Sequence, residues 1–399
     1  MRLAIVVNVY PQASQTFIRT QFQGLLAAGV DCHIVDKAIT PRSDSRADVD
    51  GGRVHRLTVA TRRGYPAELA ARSALTVAKQ PRRTLKHLRS TMATRRPLVG
   101  SHWLSLDRLS RLAPDVVHYS FASYAVGDEH VPGSLGIPFV VSCRGFDLTN
   151  VGTGDDHFYH PLWAAVDFVH FRSEDLLDVA RQRGFDDSTP HAVTPPGIDA
   201  DYFSPAHTSE ERRSTERPHT ILSVGRLVKK KGHEVGLAVI RQLLDRGCPV
   251  RYDIVGDGDL AQELKQEAER LQVAHVTRFL GEVTPDRVRD LMRQADVLLH
   301  PSWQEGFGVS VLEAQSVGLP VVCTDAEGLP QNVDHGVTGF VVRRGDVAAL
   351  TNRVQELLDD PDRAKEAGKA GRRRVVDRFS IDREIQSYVD SYNMLLANG

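Results

Sequence analysis

HPSWQEGFGVSVLEAQSVGLPVV, residues 300–322, decides the fold. The apolar run Val297–His300 predicts a strand, Glu305-Gly306-Phe307-Gly308 a turn, and Val309 to Ser316 a helix closed by Gly318 and Pro320. The glycine pair permits a tight turn and close approach of backbone to a ligand. Free N–H groups at the start of the helix make an anion site. Glu305 in the loop and Glu313 on the helix stand eight positions apart, so both carboxylates can face one ligand. An anionic diphosphate at the helix start, with carboxylates beside it for sugar or ribose hydroxyls, is the binding site this spacing describes.

Working outward, the same alternation recurs along the chain. Strand-like runs are Leu3–Val9, Val30–Val35, Val116–His118, Phe139–Cys143 and Phe168–Phe171, then Thr220–Val224, Arg251–Val255, Val276–Phe279, Val297–His300, Val321–Cys323 and Gly339–Val341. Helix-period segments lie between them: Thr16–Ala28, Glu174–Arg183, His233–Asp245, Leu260–Leu271 and Thr284–Gln294. Strands alternating with helices of this length indicate βαβ units and a parallel sheet. The polar, aperiodic stretch near 196–218 interrupts the pattern, which predicts two doubly wound α/β halves: 1–198 and 199–380, with a last helix over 381–399 that crosses back to the first half. Ligand sites in such sheets lie at the carboxyl ends of the strands, and the cleft between the halves is a further expected place.

Composition narrows the class. Of 399 residues, 41% are hydrophobic and 25% charged, ordinary values for a globular chain. The net charge of −1 names no nucleic-acid partner. Cys32, Cys143, Cys248 and Cys323 form no C-x-x-C motif and read as reduced thiols, which fits a cytoplasmic location. No apolar run reaches the length of a membrane span, and Leu3–Val7 is too short for a signal peptide. The exception to charge balance is residues 62–96, with ten Lys or Arg and one acid, Glu68. Helical pieces there carry Leu69, Leu75, Leu85 and Leu88, so the stretch is either a solvated face over core leucines or a surface for anionic lipid on the inner face of the cytoplasmic membrane.

A second chemistry-bearing segment is ILSVGRLVKKKGHEVGLAVI, residues 221–240. Arg226 follows a strand and Gly225, and Lys231 precedes Gly232 and a helix. A planar guanidinium and a mobile ammonium five residues apart can clamp one diphosphate from two sides. Asp48-Val49-Asp50 and Asp257-Gly258-Asp259 satisfy D-x-D, but neither has further metal ligands beside it, and no metal is expected.

These segments together carry a resemblance. Gly225-Arg226-Leu227 with Lys231-Gly232, and Glu305 through Glu313 as E-x7-E, are similar to the motifs of GT-B retaining glycosyltransferases of family 4. Val255-Gly256-Asp257-Gly258, Gly281-Glu282-Val283, Ala295-Asp296-Val297 and Gly336-Val337-Thr338-Gly339 agree. The opening Tyr10–Ile18 resembles a subgroup that makes exopolysaccharides, colanic-acid-type transferases among them. The resemblance implies two Rossmann-like domains facing a cleft, the second binding the donor. It implies that Arg226 and Lys231 hold the diphosphate, Glu305 the transferred sugar and Glu313 the ribose. Backbone N–H groups of Phe307, Gly308 and Val309 would reach sugar and phosphates, while Val283 and the Gly256–Gly258 loop would border the base. The donor would be a nucleoside diphosphate sugar, UDP favoured over GDP, and the acceptor a glycan or lipid-linked sugar, with no cofactor. Ser14, His118 and Arg144 are the expected acceptor-side residues. Arg144 stands where the family often has His, and either meets an anionic group or pairs with Asp147. Rival readings are an epimerase or phosphorylase on the same fold, and a non-catalytic membrane-associated binding protein.

Overall fold

The structure, a computed structural model, describes residues 1–10, 16–41, 53–59, 100–205 and 217–397. It forms two compact units, Met1–Thr194 with Ile385–Gly399, and Pro195–Glu384. The second unit begins earlier than the 198/199 division expected from the sequence. Ile198 bridges Ser380 and donates its N–H to Phe379 at 2.7 Å, which ties this segment to the second unit.

The first unit contains β1 (Arg2–Val7), α1 (Thr16–Ala27), β2 (Asp31–Pro41), β3 (Val54–Val59), α2 (Gly100–Leu112), β4 (Val116–Tyr119), β5 (Phe139–Cys143), α3 (Gly145–Asn150), β6 (Phe168–Phe171), α4 (Glu174–Gln182) and β7 (His191–Val193). Its seven strands are all parallel, in the order β3-β2-β1-β4-β5-β6-β7. β1 reads RLAIVV and buries every residue after Arg2, as a strand covered on both faces must. Ser173 starts α4 by accepting the Leu176 N–H, with Glu174 and Asp175 in the first turn.

The second unit contains β8 (His219–Val224), α5 (His233–Asp245), β9 (Val250–Val255), α6 (Ala261–Arg270), β10 (Thr277–Phe279), α7 (Pro285–Gln294), β11 (Val297–His300), α8 (Val309–Ser316), β12 (Val321–Thr324), β13 (Gly339–Val342), α9 (Val347–Asp359) and α10 (Pro361–Arg378). Six parallel strands run β10-β9-β8-β11-β12-β13. Neighbouring residues on a strand enter opposite cores: Ile221, Leu299 and Val322 pack on one side of the sheet, Leu222, Leu298 and Val321 on the other. Uninterrupted apolar strands are the sequence form of such a doubly covered sheet. In both units the strand order reverses beside the first strand, between β1 and β4 and between β8 and β11. That reversal opens the crevice where open α/β sheets take their ligands.

The last helix, α11 (Ile381–Ala397), starts in the second unit and ends in the first. Within the first unit it docks through polar pairs. Tyr392 OH lies 2.5 Å from His118 Nδ1, Ser391 Oγ 2.9 Å from His170 Nε2, and Arg172 donates to Tyr388 OH at 2.7 Å. Gly24 of α1 faces Ile385, leaving no room for a larger side chain.

Six of these elements carry no expectation from the sequence: β3, β7, α2, α3, α9 and α10. The two strands lie at the edges of their sheet, where VHRLTV and HAV need no continuous apolar run. α10 buries Ala367, Gly368, Gly371 and Val375, with Gly371 against Gln315 of α8 and Gly368 against Gly318 just past it, so all but Val375 of these are too small to mark a hydrophobic period.

Candidate donor site at the switch point of the second sheet

Two loops build the site, one after β8 and one after β11. β8 ends at Val224, and Gly225 donates to Val255 O at 2.9 Å. Gly256 then passes so close that a Cβ on it would lie 2.1 Å from the Gly225 carbonyl oxygen. Its φ of 134° is one that glycine adopts without strain, and its N–H donates to Gly281 O at 2.8 Å. Gly225, Gly256 and Gly281 thus form one rim, with Val283 half-buried just beyond it.

After Gly225 the chain carries Arg226 outward and exposed, makes a short 3-10 turn over Lys229–Lys231, and enters α5 through Gly232. Lys231 is folded back over Gly225, which leaves room for it: the nearest lysine carbon would sit 3.5 Å from an added Cβ. Its ammonium pairs with Glu305 Oε2, with both side chains largely enclosed at 15% and 12% exposure. The same oxygen receives His300 Nε2 at 2.9 Å from the end of β11, where His300 is 3% exposed. Since a carboxylate only accepts, that ring nitrogen carries the proton. Burial on its own would raise the Glu305 carboxyl. The Lys231 charge and the His300 hydrogen bond outweigh it and hold the group well below the usual carboxylate range. Burial lowers His300, so the ring is neutral.

The second loop is fastened at several points. Trp303 and Gln304 donate their N–H groups to Lys230 O at 2.8 and 3.1 Å, and the Trp303 indole donates to Glu234 at 2.9 Å. The Glu305 N–H donates to Glu327 Oε2 at 2.7 Å, while Arg344 reaches Glu327 Oε1 and the Trp303 carbonyl. Asn332 holds the Phe307 carbonyl. Gly308, with φ 80°, caps α8, and a Cβ there would meet Leu329 at 2.5 Å. No side chain caps this helix. Among the described residues the N–H groups of Phe307, Gly308 and Val309 have no protein acceptor, as at any uncapped helix start, the arrangement by which helix starts bind anions.

Glu313 sits one turn into α8. It is half-buried and, among the described residues, its carboxylate has no hydrogen-bond or ion-pair partner. Burial pushes it up to about 7. A half-buried carboxylate with no protein partner is free to accept hydrogen bonds from a ligand or from water. Eight of the ten expected donor-side residues lie on the loops after β8 and β11 and at the start of α8, while Gly256 and Val283 follow β9 and β10. Glu327, Trp303, Glu234 and His300, which fix the loop, carry no motif. Only the position of His300 at a strand end hints at a role.

The acceptor-side expectations fare differently. Ser14, the Asp48–Asp50 pair and the whole of residues 62–96 lie outside the described residues. His118 is wholly buried between Tyr392 and Ser142 (2.9 Å), with its ring pushed down to about 3 by burial, and it serves the docking of α11. Arg144 lies over the Phe17 ring at 3.8 Å and donates Nε to Ser120 O at 3.0 Å. Its backbone N–H, at the start of α3, donates to the buried Asp147 carboxylate at 3.0 Å. Asp257 accepts the Gly258 N–H at 2.8 Å, a turn contact. Among the described residues no helix is long and apolar enough to cross a membrane.

Residues 207–374, the part of the chain that builds this site, match the family model of glycosyl transferases group 1. The matched residues lie within the second unit. The chain is 28% identical over 290 residues to the sulfoquinovosyl transferase SQD2 of Arabidopsis thaliana, covering 67% of this chain and 54% of the relative. It is 32% identical over 210 residues to the putative colanic acid biosynthesis glycosyltransferase WcaL of Escherichia coli K12, covering 50% and 51%. The chain spans about half the length of these relatives. Among solved structures, a glycosyltransferase from Rickettsia africae superposes with a TM-score of 0.74 at 17% identity, covering 100% of this chain and 99% of its own. Anabaena Alr3699/HepE in complex with UDP superposes with a TM-score of 0.75 at 17% identity, over 98% and 99%. The fold is GT-B, two parallel-sheet Rossmann-like domains, and the match to the family model falls in the second of them.

Proposed function

We propose that this chain is a retaining, metal-independent hexosyltransferase. It would move a sugar from a nucleoside diphosphate sugar to a glycan or lipid-linked acceptor in polysaccharide or glycolipid synthesis. The observation that carries this reading is the set at the switch point: Lys231 paired to Glu305, Arg226 exposed beside them, the uncapped start of α8 and the unpartnered Glu313. Arg226, Lys231 and the α8 dipole supply positive charge where a departing diphosphate gains negative charge, the role a divalent metal fills in other transferases. Glu313 accepts ribose hydroxyls, and Glu305 accepts hydroxyls of the transferred sugar.

For retention, the acceptor oxygen attacks the anomeric carbon on the face the diphosphate leaves. The carbon–oxygen bond to phosphate breaks as the new glycosidic bond forms, and a departing phosphate oxygen takes the acceptor proton. Neither glutamate acts as nucleophile. UDP is favoured as the nucleotide, supported by the UDP complex of the Anabaena neighbour and by the sequence resemblance. The basic residues 62–96 would place the chain on the inner face of the cytoplasmic membrane near a lipid-linked acceptor.

The test is product analysis with UDP-hexoses and with glycan or lipid-linked acceptors, in chelator, reading the new anomeric centre by NMR. The donor's configuration is expected to persist in the product. Inversion, a requirement for added divalent cation, or product formed only with phosphate or from donor alone would overturn the reading.

A further inference from the structure

We propose that His300 is a positioning residue for Glu305. Its Nε2–H holds one carboxylate oxygen, Oε2, so that the other stays available to a donor hydroxyl when Lys231 turns its charge to the diphosphate. This rests on the donor-site reading above. Without donor, Oε2 takes both Lys231 and His300, while Oε1 has no partner among the described residues. A bound diphosphate competes for the lysine. A carboxylate enclosed at 12% exposure that loses its cation is strongly destabilised, and relief comes from protonation or from swinging away. Either would turn an acceptor of sugar hydroxyls into a donor or move it off the sugar.

His300 is built to prevent this. It ends β11, pinned by parallel pairing to Cys323, and is 3% exposed, so the ring has little freedom to follow the lysine. The charged and titratable groups around the pair are Lys230 and Lys231 of the turn, His233 at the start of α5, Arg226, and Glu327 across the loop. His233 is occupied with the Arg226 carbonyl at 3.2 Å, and Glu327 with the Glu305 N–H at 2.7 Å. Apart from Lys231, His300 is therefore the side chain that donates to the Glu305 carboxylate among the described residues.

The test compares His300→Leu, which removes the N–H, with His300→Gln, which offers an amide N–H. With UDP-glucose as probe donor, His300→Leu should lower kcat/KM roughly tenfold or more, the worth of a hydrogen bond to a charged group. His300→Gln should recover most of it. Affinity for UDP alone, which lacks the sugar, should change by less than about twofold in both by the same reasoning. Equal losses for UDP and UDP-glucose, or unchanged kcat/KM in His300→Leu, would overturn the proposal. A second measurement does not depend on turnover. In a Lys231→Met background, the Glu305 carboxyl carbon, followed by NMR with Glu305→Gln as assignment control, should titrate at least a pH unit higher when His300→Leu is added. An unchanged midpoint overturns the positioning role even if the wild type proves to bind no nucleotide, which is the separate failure of the transferase reading.

Discussion

At the scale of single residues, the site stores charge in two different ways. Lys231 and Glu305 neutralise each other in a nearly closed space, so removing one leaves the other buried and unpaired. Lys231→Met is expected to lower stability by about 2–3 kcal/mol and to abolish nucleotide binding, whereas Lys231→Met with Glu305→Gln recovers the stability but not the binding. Urea unfolding and calorimetry on the two variants check this. Glu313 is the opposite case, a carboxylate with no cation. Its folded value near 7 lies above the ordinary 4.5, so the folded chain binds the extra proton and stability falls as pH rises from 4.5 to 7. Glu313→Gln should therefore stabilise the unliganded chain by about 1–3 kcal/mol at pH 8, and should leave it nearly unchanged at pH 4.5. A loss of stability at pH 8 would show that the carboxylate has a protein partner.

At the scale of elements, the proposed donor site rests on α8 and its loop. Gly308 is the hinge of that turn, with φ 80° and Leu329 2.5 Å from where a Cβ would be. Gly308→Ala is expected to cost about 1–3 kcal/mol and to weaken nucleotide binding at least as severely, measured by melting with and without UDP. The central strands and these loops were legible because buried parallel strands are nearly continuous apolar runs, and because the loops at their carboxyl ends interrupt those runs with Lys, Arg, Glu and Gly. Edge strands and α10 were not, since their packing uses charged or very small residues. The two strand-end histidines show the limit most clearly. VVHY at 116–119 and VLLH at 297–300 look alike in sequence. Yet His118 is roofed by α11 and His300 opens onto Glu305, a difference set by what packs on each sheet and not by the strand.

At the scale of the whole molecule, the polar docking of α11 makes the first unit acid-sensitive. Burial keeps His118 and His170 neutral when folded, both below the ordinary 6.5, while the unfolded chain protonates them. Their contribution is full above pH 6.5 and is lost as pH falls toward the folded values. The slope reaches about 1.4 kcal/mol per pH unit for each ring. Unfolding followed from pH 8 to 4 should show this fall, and His118→Gln should lower its slope by up to about 1.4 kcal/mol per pH unit, the share of one ring, while His33, His55 and His170 of the same unit go on titrating. An identical slope in the variant would place the acid sensitivity elsewhere.

The measurement closest to the central claim is calorimetric titration of UDP, GDP and ADP into the wild-type chain and Glu313→Ala, with chelator present. The donor-site reading predicts that one nucleoside diphosphate, UDP, binds without metal, and that Glu313→Ala weakens it about tenfold or more, as loss of hydrogen bonds to a charged group would. Binding of none of the three, or equal affinity in the two proteins, would contradict it.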